Sequence, residues 1–146
     1  MTKKPLSASS KVKTNPRQRR VQERAEITIE KLREAASQLF SERGYDGASI
    51  RDIENAAGVK RGLINYHFGT KEALWKAVLQ HIFGLVSQYM DQRAELIKDL
   101  SPQESISYLI RSYVRFNAAY PELNRLMVHE AKRDTPRLEY IVETYT

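Results

Sequence analysis

Residues 58–74 read GVKRGLINYHFGTKEAL. Gly58 opens a turn, the basic pair Lys60 and Arg61 follows, and Asn65, Tyr66 and His67 then share one helical turn before a second helix begins at Thr70. The segments on either side decide what this crowding means. Upstream, Ser49 precedes IRDIENAA with Asp52 three residues on, a capping-box spacing with Asp in the acidic position. Ile50, Ile53 and Ala57 form the apolar stripe of a short helix that Gly58 ends. Further upstream, Ile29, Leu32, Ala36, Leu39 and Phe40 recur at three and four, which predicts a helix from about Ala25 to Arg43 stopping at Gly44. Val59 turns inward, and a third helix is expected from about Lys60 to Phe68. Three helices in so short a span, the last two joined through a glycine turn, make a helix-turn-helix.

At 100° per residue, Ile64 and Phe68 point toward the first two helices, whereas Arg61, Gly62, Asn65 and Tyr66 fall on the opposite side. An arginine fork fits guanine O6 and N7, an asparagine amide fits adenine, and a glycine lets a backbone come close, at a helix start that favours phosphate. Residue by residue, a solvated surface explains the same pattern; together these residues describe a major-groove reader. Lys71 sits in the first turn of the next helix, capped by Thr70, where it opposes the helix dipole. An external anion accounts for that placement, and His67 is near enough in sequence to donate to the same phosphate or, alternatively, to bridge the helices.

The segment from Ile27 to about Leu79 resembles the DNA-binding domain of the TetR/AcrR family of bacterial transcription regulators, whose GVS.GT.Y.HF..KE.L pattern is matched by residues 58–74. The resemblance implies that Ser49 and Arg51 on the second helix, Lys60, Arg61, Gly62, Asn65, Tyr66 and His67 on the third, and Lys71 on the fourth face DNA. Lys60 stands where the family has Ser or Thr, Leu63 where Thr is common, and Asn65 where Tyr is frequent. These departures bear on the operator sequence rather than on the fold.

Charge is unevenly distributed along the 146 residues. Of 24 Lys and Arg, eight lie in residues 1–25 against Glu23 alone, leaving 16 basic and 17 acidic residues elsewhere. With Pro5, Pro16 and few apolar groups, residues 1–25 are expected to be a disordered basic arm, either a solubilising tail or a strand lying along phosphates. The absence of cysteine excludes disulfides and thiolate metal sites. No metal or cofactor is expected, and the lack of an apolar leader or span points to a cytoplasmic protein.

After the helix-turn-helix at residues 26–73, residues 74–146 are expected to form part of a helical effector-binding and dimerisation domain, so the fold class is all-α. Leu74, Val78, Ile82, Leu85, Tyr89 and Met90 continue a helix to about Lys98; Ser101 and Pro102 start another carrying Ile106, Leu109, Ile110, Tyr113, Val114 and Tyr120. A helix through Leu126 and Met127 follows, and then one opened by Pro136 with Leu138, Ile141, Val142 and Tyr145 inward. Relative to the family, this bundle reads as C-terminally truncated, with apolar surface left uncovered. A homodimer is expected of the full-length protein and a monomer or weak oligomer of this chain. By resemblance, Trp75, Tyr89, Tyr108, Tyr113, Phe116, Met127 and His129 lie on helices that line the effector pocket, although ordinary core packing also asks for such residues.

An enzyme is disfavoured: the three histidines show no zinc-ligand spacing, and there is no Gly-rich phosphate loop or GxSxG. A helical ligand- or protein-interaction module that kept the fold without sequence-specific DNA binding is the alternative, and the cluster of Arg51, Lys60, Arg61 and Lys71 argues against it. The reading is therefore a regulator, most commonly a repressor among similar proteins, that binds double-stranded operator DNA and answers to an unknown small-molecule effector.

Overall fold

Asn15 accepts a hydrogen bond from the Arg17 N–H at 3.0 Å and Pro16 occupies the first helical position, so the chain enters its first helix well before the apolar stripe begins. The structure, a computed structural model, describes residues 15–145. Helix α1 spans Pro16–Gly47, and Arg19 pairs with Glu23 one turn on at 3.0 Å. The expected disordered arm is corrected over residues 16–25, which are helical; the cap, the proline and the ion pair supply local order that composition alone does not weigh. Residues 1–14 of the expected arm lie outside the described residues.

The predicted stop at Gly44 is a sharp break, with φ 73° and ψ 172° in a run otherwise assigned as helix. Only glycine is at ease there, and a Cβ at Gly44 would meet His129 Nδ1 at 3.3 Å. Helix α2 (Ile50–Ala56) follows, capped by the Ser49 hydroxyl on the Asp52 N–H at 3.0 Å. The hydrogen bond from the Ser49 hydroxyl holds the Asp52 carboxyl below the usual range against desolvation, the next largest influence, with smaller help from the Ser49 backbone N–H and the charges of Arg43 and Arg51. Because the folded state lowers this value, the stability contributed by the ionised Asp52 carboxylate is complete above the ordinary carboxyl range and fades on acidification through the folded value.

Helix α3 is Leu63–Phe68 and α4 is Lys71–Ala94, opened by the Thr70 hydroxyl on the Ala73 N–H at 3.0 Å and closed by a 3₁₀ turn at Glu95–Ile97. Helix α5 (Pro102–Ala119) begins with a complete Ser101–Glu104 capping box, and α6 (Pro121–Ala131) and α7 (Pro136–Tyr145) each begin on proline. The fold is all-α, a helix-turn-helix followed by a helical domain.

One apolar core runs through both parts. Leu32, Ala36 and Phe40 of α1 meet Ile53, Ile64, Leu74, Trp75, Val78 and Leu79, and Leu126 of α6 and Ile141 of α7 close it. Each fully buried large side chain here contributes about 1.5–3 kcal/mol. Two expected stripes fare differently. On α5, Ile106, Ile110, Tyr113 and Val114 are exposed while Ser112 and Phe116 are buried, because the helix is anchored by the Tyr89 hydroxyl donating to the Ser112 carbonyl at 3.1 Å and by the Tyr89–Phe116 ring contact at 5.1 Å. On α7, Val142 is half exposed and Tyr140, outside the expected stripe, packs on Trp75 with ring centroids 6.0 Å apart.

Candidate nucleic-acid interface

Six residues make an α-helix too short to persist alone, so α3 is held from outside. Glu54, 3% exposed on α2, accepts on one carboxylate oxygen the N–H of Gly62 at 2.9 Å and that of Ile64 at 3.1 Å. A side chain from the preceding helix thus caps α3 with charge-assisted bonds. Glu54 belongs to no motif of the sequence, although it lies four residues after Ile50 and three before Ala57, on the face those residues bury.

Gly58 (φ 64°) ends α2, and the Val59 N–H returns to the Glu54 carbonyl at 3.1 Å. Gly62 takes φ 89°, a left-handed conformation that stops helix from extending backwards. The expected helix start at Lys60 is corrected accordingly: Lys60, Arg61 and Gly62 form the turn, and helix begins at Leu63. No atom lies near the Gly62 Cβ position, so what requires glycine within the folded chain is conformation rather than space.

Ile64 is fully buried and Phe68 half-buried, while Lys60, Arg61, Gly62 and Asn65 are exposed and Tyr66 is 80% exposed. Tyr66 is the most open of the exposed large apolar side chains among the described residues. Ser49 and Arg51 are exposed at the start of α2. His67 is half-buried with its ring edge-on to Tyr66 at 4.8 Å. Lys71 is half-buried, its ammonium 4.2 Å from the Tyr45 ring centre, and desolvation pushes its pKa down against the pull of Asp46. Tyr45 therefore answers part of the question Lys71 poses: the lysine has an internal partner as well as an outward reach.

Tyr45 is also where the helix-turn-helix meets the helical body. Phe40 stacks on it at 5.7 Å and Trp75 meets it edge-on at 6.2 Å. On α7, Arg137 places its guanidinium 4.2 Å from the same ring and bonds Glu130 through Nε at 3.1 Å; Glu130 is 2% exposed. Asp46 pairs with Arg133 at 2.6 Å and lies 3.7 Å from Arg137. Burial, followed by the charge of Glu72, raises the Tyr45 pKa.

The seven residues expected near an effector separate into four places. Tyr89, Tyr113, Phe116 and Met127 line one apolar cavity of about 130 Å³ between α4, α5 and α6. Trp75 is fully buried in the core, with its Nε1 lacking a hydrogen-bond partner among the described residues. Tyr108 lines a surface groove with Leu100 and Arg111, and His129 rests against Gly44 at the joint between head and body. Among the described residues no helix is long and apolar enough to cross a membrane, and no group of His, Cys, Asp and Glu is arranged to hold a metal ion.

Residues 32–78 match the family model of bacterial regulatory proteins, tetR family. The chain is 27% identical over 118 residues to the "Probable HTH-type transcriptional regulator YttP" of Bacillus subtilis strain 168, covering 81% of this chain and 57% of that protein. It is 29% identical over 109 residues to the HTH-type transcriptional repressor NicS of Pseudomonas putida KT2440, covering 74% and 50%. In three dimensions it superposes on HlyIIR, a hemolysin II transcriptional regulator, with TM-score 0.67 and 27% identity over 83% of this chain and 66% of that one. The chain thus spans about half the length of the curated relatives it matches.

Proposed function

The chain belongs to the TetR family of bacterial regulatory proteins, and from that premise we propose that it represses transcription by reading an operator through the 60–62 turn and α3. The observation that carries this reading is the Glu54 clamp: a buried carboxylate fixes the start of a helix whose outward side chains, Asn65 and Tyr66, stand exposed. Arg61 and Asn65 take the base edges, Tyr66 lies along the sugar and groove wall, and Ser49, Arg51, Lys60, His67 and Lys71 meet phosphates around them. Repression accords with the name of NicS, a transcriptional repressor. One head covers one half-site, so a paired protein fits a palindromic operator. The cavity of Tyr89, Tyr113, Phe116 and Met127, smaller at about 130 Å³ than the usual range of roughly 300–1,000 Å³, is the place for a small effector that enters as α4, α5 and α6 part and so releases DNA, and action on a bacterial operator implies a cytoplasmic protein.

Binding measurements on a preferred site, on single-base variants of it and on random duplex separate the roles. Arg61→Ala or Asn65→Ala is expected to cost about 1–3 kcal/mol on the preferred site and to relax choice at one or two base pairs, with a smaller effect on random duplex. Lys71→Ala is expected to weaken binding to every duplex while sequence preference survives. A uniform loss for all three variants would remove base reading from α3.

The basic arm gives a separate expectation. Removing residues 1–14, which carry Lys3, Lys4, Lys11 and Lys13, leaves α1 and its cap intact. Every phosphate that these lysines neutralise steepens the plot of log K against log salt by about 0.9, so the shortened protein should give a correspondingly flatter line. An unchanged slope would reduce that segment to a solubilising tail.

A further inference from the structure

A cleft of about 540 Å³ opens where α1, α4 and α6 meet, away from the DNA-reading surface, within the range of roughly 300–1,000 Å³ that small-molecule sites occupy. Its floor is apolar: Val78 and Ile82 are buried, and Leu85 and Leu123 are half-buried. Tyr120 adds an aromatic edge. Only Leu123 is shared with the cavity of Tyr89 and Phe116, so α6 forms a wall between two distinct spaces.

The rim is charged, with four carboxylates against two arginines, and three of the four carboxylates have no ion-pair partner among the described residues. Glu30 pairs with Arg33, which cancels one of each sign. Glu34, Glu42 and Glu122 also line the cleft and have no cationic partner among the described residues; the nearest relief is the Gln38 amide donating to Glu42 at 3.1 Å. Against these three carboxylates stand Arg125, which has no carboxylate partner among the described residues, and the exposed His81. An anion would face net repulsion there. A cation would be drawn in, more strongly because the apolar floor excludes water from one side of the interaction. Arg33 contributes a second feature: its Nε is buried and has no acceptor among the described residues.

We propose that the α1–α4–α6 cleft binds an organic cation with an apolar body, such as a quaternary or protonated amine. The apolar part lies on Val78, Ile82, Leu85 and Leu123, the charge faces Glu34 and Glu122, and an acceptor oxygen on the ligand, where one exists, meets Arg33 Nε. The occupant touches α1 and α6 together. Since α1 leads through the Gly44 break into the reading head, occupancy bears on how the head is set against the body, but the site itself is independent of whether the head reads DNA.

Calorimetry with benzyltrimethylammonium, benzyl alcohol and benzoate tests the site on the protein as it stands. The cation is expected to bind saturably, benzyl alcohol about tenfold or more weakly and benzoate not at all. The double variant Glu34→Gln/Glu122→Gln keeps shape and changes only surface charge, so it is expected to fold as the parent by circular dichroism and to lose about tenfold in affinity for the cation. Tyr113→Ala, which opens the other cavity at an exposed residue, should leave that affinity unchanged. Equal binding of benzyl alcohol and the cation would overturn the proposal. So would loss of binding in Tyr113→Ala with none in the glutamine variant, or no saturable binding of the cation at millimolar concentration.

Discussion

Glu54→Ala is expected to lower the unfolding free energy by about 2–4 kcal/mol, since it strips the acceptor from two backbone N–H groups, each costing about 1–3 kcal/mol when left without a partner in a buried setting. The Ile64 N–H lies in the core and the Gly62 N–H is partly covered, so water replaces the carboxylate at only one of them. The local effect should exceed the global one. Helix α3 has six residues and no side-chain cap of its own, so without Glu54 its first turn frays and the outward residues lose their fixed geometry. Specific DNA affinity should therefore fall further than the change in urea midpoint alone implies. Glu54→Gln retains an acceptor oxygen and nearly the same shape, and should lose about 1 kcal/mol. Urea unfolding of the three proteins, read beside binding to the preferred duplex, makes the comparison. A Glu54→Ala protein as stable as the parent would mean that α3 is held by packing alone.

Arg137→Ala is expected to cost about 3–5 kcal/mol, because it leaves Glu130, 2% exposed, as a buried carboxylate without its guanidinium. The same change removes the cation from one side of Tyr45 and thins the Asp46 cluster that ties α1 to α6 and α7. Arg137→Lys should recover only part of the loss, since one ammonium does not reproduce a planar group that lies over a ring and bonds a carboxylate at once. The double change Arg137→Met/Glu130→Gln removes charge and partner together, so it should be less damaging than Arg137→Ala alone. Thermal unfolding of the parent and the three variants decides. If Arg137→Ala alone is neutral, the buried pair does not fasten the head to the body.

Helix starts are legible because they are written in local chemistry: Ser49, Thr70, Ser101 with Pro102, and Pro136 all cap or open the helices their identities suggest. The start of α1 is hidden because eight cationic residues weigh toward disorder in any composition argument, while Asn15, Pro16 and the Arg19–Glu23 pair act over a single turn. The start of α3 falls three residues later than periodicity suggests because Gly62 matters for the backbone angle it permits and not for the space it leaves. Glu54 is obscure for a related reason. Periodicity puts it on the buried face, but a charge there is explained only once the N–H groups of Gly62 and Ile64 are seen to converge on it.

The same limit governs the helical body. Ile106, Ile110, Tyr113 and Val114 share a face, as their spacing says, yet spacing does not say which face of a helix receives a neighbour, and here Ser112 and Phe116 do. The aromatic residues expected at an effector site behave likewise. Tyr89, Tyr113, Phe116 and Met127 converge because α4, α5 and α6 meet around them, while Trp75, Tyr108 and His129, equally aromatic or polar in sequence, are carried to the core, a groove and the Gly44 joint.

The clamped 60–62 turn and the short helix α3 are proposed to read base sequence. Selection of bound duplexes from a random DNA pool by the chain, with Arg61→Ala and Asn65→Ala carried in parallel, tests this most directly. One enriched motif is expected for the parent sequence and, for each variant, a motif degraded at one or two base pairs while the rest persists. A pool that stays random after selection, or identical motifs from all three proteins, would contradict that proposal.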